Sequence, residues 1–216
     1  MDFSAARRHM VESQIRTSKV VDEAVIAAMS EVPRERFVPG PLQAVAYIDE
    51  DLKVGDGRYL MEPMVLARLL QEAGAMPSDV VLDIGSGAGY GAAVLARIAA
   101  TVFALESDEV LAAKAAELFT ELGLDNVVPV DGALMEGCPK HAPFNVIVIE
   151  GAVETIPDAI VDQLGDGGRL VAVVQERGIG RATVVTRNGN HLSRRVVFDA
   201  AVPVLPEFRK PAGFVF

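Results

Sequence analysis

The sequence has no tryptophan, one cysteine and three histidines in 216 residues. A single cysteine excludes an internal disulfide, so the apolar core must hold the fold. His9, His141 and His191 are scattered without metal-ligand spacing, and no metal is expected. Cys138 lies close to His141, but no oxyanion motif accompanies them, which argues against a thiol nucleophile. Lys and Arg number 20 against 30 for Asp and Glu, a net charge of −10. That shortage of cations argues against a nucleic-acid ligand, because phosphates are held by clustered Lys and Arg. The Arg194-Arg195 pair reads as the solvated face of a hairpin. No apolar run is long enough to span a membrane, and Met1 to Arg8 lacks the apolar centre of a signal peptide. A cytoplasmic protein is expected, with no membrane partner. Nothing in the sequence bears on oligomeric state.

Hydrophobic residues make up 50% of the chain, ample for a buried core. The length suits one domain over 1–216, divided into a helical N-terminal segment (1–75) and an α/β core (76–216). Ser4 to Ile15 and Val20 to Met29 read as helices, the second stopped by Pro33. The stretch from Val32 to Gly57 is rich in Pro, Gly and charge and predicts irregular chain with one short strand. Pro63 to Ala73 is a helix ending at Gly74. Strands are expected at Val80–Ile84, Thr101–Glu106, Val127–Val130, Phe144–Ile149 and Arg169–Val174, with helices between them at Asp108–Leu122 and Pro157–Leu164. This alternation predicts parallel pairing with right-handed crossovers. The last two β-rich runs flank Asn188-Gly189-Asn190-His191, a strong signal for an antiparallel hairpin.

The chain is organised around Val80-Val81-Leu82-Asp83-Ile84-Gly85-Ser86-Gly87-Ala88-Gly89-Tyr90, a strand, a tight turn and a helix start. Its glycines let backbone approach a ligand where a Cβ would clash. A dinucleotide fingerprint would put its third glycine at position 90, which is Tyr90. Here that glycine comes one residue early, at Gly89, and Asp83 precedes the loop. This pattern resembles motif I of the class I S-adenosylmethionine-dependent methyltransferases. The resemblance implies a Rossmann-like sheet, mostly parallel, closed by a C-terminal antiparallel hairpin. It also implies S-adenosyl-L-methionine as cofactor, held around Asp83, Ile84, Gly85, Ser86, Gly87, Gly89 and Tyr90. Asp83 would fix the loop or meet the cofactor's ammonium group through water. Glu106, followed by Ser107, ends the next strand, where an acid accepts hydrogen bonds from ribose hydroxyls. Asp131-Gly132 ends the third strand, where a carboxylate reaches the adenine amino group; a plain Asp-Gly turn fits those residues as well.

Outside these general motifs the chain resembles one family, the protein-L-isoaspartate (D-aspartate) O-methyltransferases. The resemblant stretches are Val25 to Pro39, Ala46 to Gly57, Asp131-Gly132, Pro143-Phe144, Ile156-Pro157 and Gln163 to Val171. The resemblance implies methylation of isoaspartyl carboxylates in damaged proteins, so the expected partner is a protein or peptide carrying isoaspartate. The family usually reads Gln-Thr-Ile-Ser-x-Pro after a glycine equivalent to Gly57. Here Arg58-Tyr59-Leu60-Met61-Glu62-Pro63 stands instead, with Met61 at the serine position and Tyr59 at the threonine position. After the fourth core strand Ile149-Glu150-Gly151-Ala152 replaces Val-Thr-Ala-Ala, and an unpaired Glu150 would repel an anionic acceptor.

Carboxyl methylation needs no base, because a carboxylate with a pKa of about 4 is already a nucleophile at neutral pH. Alignment and water exclusion carry the rate. An amine or hydroxyl acceptor would make a base useful, and Glu62 and Glu150 are the candidates. Two alternatives stand beside the isoaspartyl reading: a methyltransferase of this fold with another acceptor, and a catalytically silent cofactor-binding relative.

Overall fold

The computed structural model describes residues 1–210. Asp2 caps the first helix, α1 (Phe3–Met10), by accepting from the Ala5 amide at 3.0 Å. The helical path then loosens into a π-turn over Val11–Ile15 and a 3-10 turn over Arg16–Ser18, ended by Lys19 at φ +67°. The second helix, α2 (Glu23–Glu31), starts later than the apolar pattern suggests, because the Asp22 side chain accepts from Ala24 and Val25 and fixes the N-terminus there. The irregular stretch contains two 3-10 turns and a small hairpin of two strands, β1 (Leu52–Gly55) and β2 (Arg58–Leu60). Pro63 opens α3 (Pro63–Ala73) and Gly74 closes it in the left-handed conformation. Arg169 donates to the carbonyls of Ala73 and Gly74 and pairs with Asp79 at 3.0 Å, which satisfies the helix end and ties it to the sheet.

The core strands follow: β3 (Val80–Ile84), β4 (Thr101–Glu106), β5 (Val127–Asp131), β6 (Phe144–Val153), β7 (Leu164–Glu176), β8 (Ile179–Asn188) and β9 (His191–Asp199). Helices α4 (Tyr90–Ala96), α5 (Glu109–Glu121) and α6 (Asp158–Val161) lie between them. The sheet order is β5-β4-β3-β6-β7-β8-β9. The first five strands pair in parallel, and β7, β8 and β9 run as an antiparallel meander. The expected hairpin is present, with Asn188 paired to His191. A second tight turn joins β7 to β8, where Glu176 pairs with Ile179 and both Arg177 and Gly178 take positive φ. The helix expected over Pro157–Leu164 is one turn only, because Leu164 already pairs with Phe144 as the start of β7.

The pleat sorts the strands' side chains into two cores. Val81, Val102, Val146, Val148 and Val171 face one side, under helices α1 to α5. Leu82, Ile84, Leu105, Ile147, Ile149 and Leu170 face the other, covered by α6 and by Leu205 and Phe208 of the tail. Order reverses between β3 and its two neighbours, β4 and β6, so the crevice at their C-terminal ends is the ligand position of an open α/β sheet.

Candidate functional site

At that crevice, β3 runs into a loop whose Gly85, Gly87 and Gly89 take φ of +74°, +56° and +93°. Side chains at those angles would be strained. A Cβ on Gly87 would meet only the Val54 side chain, at 3.8 Å, so this backbone stands open to close approach. A Cβ on Gly89 would lie 2.5 Å from the Phe119 ring, so that glycine serves packing. Of the other loop candidates, Ile84 is fully buried in the sheet core and offers only backbone. Tyr90 is buried too, edge-on to Phe37 and 5.0 Å beneath the Arg34 guanidinium.

Glu106 is 1% exposed at the end of β4. Its Oε2 accepts from the Gly87 amide at 2.8 Å, and its Oε1 from Ser107 and Asp108 at 2.8 and 2.9 Å. It thereby joins the glycine loop to the start of α5. Arg58 Nε donates to the same carboxylate, at 2.9 Å to Oε1 and 3.2 Å to Oε2. Arg58 is buried, and its outer nitrogens reach Ser107 Oγ at 2.9 Å and both oxygens of Glu207 at 2.5 and 3.1 Å. Burial works against the Glu207 charge, but the Arg58 guanidinium outweighs it and holds that carboxyl below its usual range. Asp131 stands beside Glu106 in register, exposed, and the Gly132 amide donates to the Glu106 carbonyl at 3.3 Å.

Asp83 and Glu150 face each other, 0% and 3% exposed. Burial raises both pKa values; the Glu106 charge adds to the rise at Asp83, and the Asp83 charge to that at Glu150. Asp83 is pushed up to about 7 and Glu150 well above its usual value. Both are therefore biased toward the neutral form, Glu150 the more strongly, and neither Asp83 oxygen nor Glu150 Oε1 has another hydrogen-bond partner among the described residues. Glu150, expected as an unpaired charge, is instead a buried carboxyl that favours its neutral form. Glu150 also explains Gly91, since a Cβ there would lie 1.5 Å from Glu150 Oε1.

The acceptor-side candidates divide. Glu150 and Tyr59 line a cavity of about 10 Å³ beside Ser86, Gly87 and Tyr90. Met61 does not line it: its side chain is fully buried in the core, and its carbonyl accepts from Arg34 at 2.7 Å. Glu62 is not among its lining residues either. It precedes α3, where burial and then Asp51 raise its pKa to about 7. The two base candidates are thus not brought together. A larger cavity, about 550 Å³, opens between the ends of β6 and β7 among Glu154, Glu176, Arg177, Arg194 and Lys210, apart from the loop.

Three residues of the site gave no sequence signal of their role. Arg58 reaches partners 48 and 149 positions away. Glu207 arrives from the far end of the chain. Arg34, fully buried, staples the carbonyls of Ala46 and Met61 at 2.6 and 2.7 Å, and burial lowers its pKa.

A left-handed glycine loop and a buried strand-end acid on this sheet define a class I methyltransferase. The chain matches the family described as protein-L-isoaspartate(D-aspartate) O-methyltransferase over residues 5–204. It is 38% identical over 206 residues to the protein-L-isoaspartate O-methyltransferase of Roseiflexus castenholzii, covering 95% of this chain and 94% of that one. It is 40% identical over 200 residues to that of Gloeobacter violaceus, covering 92% and 98%. A solved protein-L-isoaspartate O-methyltransferase superposes with TM-score 0.80 at 25% identity, covering 92% of this chain and 65% of that one. The fold is shared with a Plasmodium falciparum structure described as a complex with S-adenosyl-L-homocysteine, at TM-score 0.81 and 20% identity, covering 93% and 98%. The chain belongs to the protein-L-isoaspartate(D-aspartate) O-methyltransferase family.

Proposed function

We propose that the chain transfers a methyl group from S-adenosyl-L-methionine to the carboxylate of isoaspartyl residues in proteins. The observation that carries the cofactor half is Glu106, a buried carboxylate fixed by the Gly87 amide at the mouth of the glycine loop. S-adenosylmethionine fits this set of residues: the loop offers close backbone approach at Gly87, and Glu106 offers acceptors for ribose hydroxyls once Arg58 gives up its bonds to it. Asp131, one strand over and in register with Glu106, supports reading a base edge there. When bound, the cofactor supplies an activated methyl on a sulfonium. The chain's part is to hold and orient, because the acceptor carboxylate needs no base. Burial favours the neutral form of Glu150, which lessens the negative charge facing an anionic acceptor.

The family match over residues 5–204 carries the acceptor half. One observation favours a second reading, the same chemistry on another acceptor. The threonine and serine expected at 59 and 61 are replaced by Tyr59 and the core residue Met61, so the substrate must be oriented by a differently placed group, of which the Tyr59 phenol is one. The test is radiolabelled methyl transfer to an isoaspartyl peptide beside its aspartyl twin. Label in the isoaspartyl peptide alone is expected. No label, with S-adenosylhomocysteine bound by calorimetry, would overturn the acceptor assignment and leave the second reading.

A further inference from the structure

The family match ends at residue 204, and the next residues lie across the crevice. Val204 bridges in parallel to Ala152 at the end of β6: the Ala152 amide donates to the Pro203 carbonyl and the Leu205 amide to the Ala152 carbonyl, both at 2.9 Å. From there the tail touches each strand end of the crevice in turn. Leu205 covers Gly85 and Gly151: a Cβ built on them would lie 3.2 and 2.5 Å from its side chain. Pro206 packs on Gly57 in the β1–β2 turn. Glu207 accepts from Ser107 Oγ at 2.9 Å and from Arg58. Phe208 is 3% exposed in the core that contains Leu105 and Leu134, and the Glu154 amide donates to its carbonyl at 3.3 Å.

This path runs from the glycine loop past Glu106 toward the end of β5, which is where the cofactor reading lays the nucleoside. The cavity against Ser86, Gly87 and Glu150 is about 10 Å³, and a larger one of about 390 Å³ adjoins it at Phe37, Val54 and Ala88 but does not have Glu106 in its lining; a ligand of nucleoside size seated on Glu106 takes ~300 Å³ or more. The carboxylate itself is fully subscribed. Two oxygens present about four lone-pair sites, and three amides plus the bifurcated Arg58 Nε occupy them. The amides are structural. A ribose hydroxyl can therefore enter only when Arg58 leaves, and Glu207 pins Arg58 in place.

We propose that Leu205–Phe208 is a strap, latched by Arg58–Glu207, that competes with the methyl donor for the Glu106 seat. The proposal rests on the cofactor reading above. The strap covers the site at rest, and cofactor binding exchanges Arg58 for ribose on Glu106 and lifts the tail. Apparent affinity is then the intrinsic affinity reduced by the fraction of molecules with the strap released.

Two measurements test this with the full chain. In calorimetry with S-adenosylhomocysteine, Arg58→Ala should bind at least about tenfold more tightly than the unmodified chain, because the competitor is gone. Hydrogen exchange on the unmodified chain needs no substitution: saturating S-adenosylhomocysteine should speed exchange at the Leu205 and Glu154 amides, which the strap protects. Equal or weaker binding by Arg58→Ala, or tail amides that stay protected in the saturated complex, would overturn the strap while leaving the cofactor reading intact. Binding by neither protein would overturn the cofactor reading and the strap with it.

Discussion

Gly91→Ala should destabilise this protein, although an alanine in a helix normally helps. Gly91 lies in the first turn of α4 at an ordinary φ, so the backbone accepts alanine, and the substitution alone should gain ~0.5–1 kcal/mol. The added methyl, however, falls 1.5 Å from Glu150 Oε1 and 2.5 Å from its Cδ. Glu150 is 3% exposed and the neighbouring cavity is about 10 Å³, so its carboxyl has nowhere to retreat. Overpacking costs ~1–3 kcal/mol, at the upper end here because the displaced group is a buried carboxyl. The net loss should be about 2 kcal/mol, or roughly 4–8 °C in Tm for a domain of this size. Urea unfolding measures it, and a double-mutant cycle isolates the cause: in a Glu150→Ala background, Gly91→Ala should be neutral or stabilising. An equal loss in both backgrounds, or none in either, would refute the assignment of Gly91 to Glu150.

The same buried pair sets a pH dependence. Asp83 and Glu150 have folded pKa values raised above the unfolded ones near ~4, so the folded state holds the extra proton. Their contribution is full below pH ~4 and is lost as pH rises through about 7 and beyond, at up to ~1.4 kcal/mol per pH unit for one proton. Glu150→Gln should flatten the fall in stability between pH 5 and 8, with Glu62 contributing to what remains; an unchanged slope would count against a neutral buried Glu150. Arg34→Ala removes the staple between Ala46 and Met61 and should cost ~3 kcal/mol in urea unfolding. A loss under 1 kcal/mol would show that those carbonyls find other partners.

The parallel core was legible because its signals are local. Val80–Ile84 and Phe144–Ile149 are apolar runs bounded by turn residues, and the glycine loop marks the switch point within eleven consecutive residues. The N-terminal segment was less so. The π-turn at Val11–Ile15 keeps an apolar pattern that a straight helix shares, and the strand character of Arg58–Leu60 depends on pairing with Leu52–Gly55. Glu106 could be read from its position at a strand end. Its partner could not, because an arginine after a glycine looks like any surface cation until the tail folds back on it. Leu205 to Phe208 has no period to read, and Pro206 breaks any helix or strand pattern. Glu150 read as a stray charge for a related reason: only the fold buries it beside Asp83, where burial favours the neutral carboxyl.

A crystal structure with S-adenosyl-L-homocysteine should show both ribose hydroxyls on the Glu106 carboxylate, the methionine end against Gly85 to Gly87, and Arg58 withdrawn from Glu106. Ligand bound elsewhere, or bound with Arg58 and Glu106 still paired, would contradict this placement.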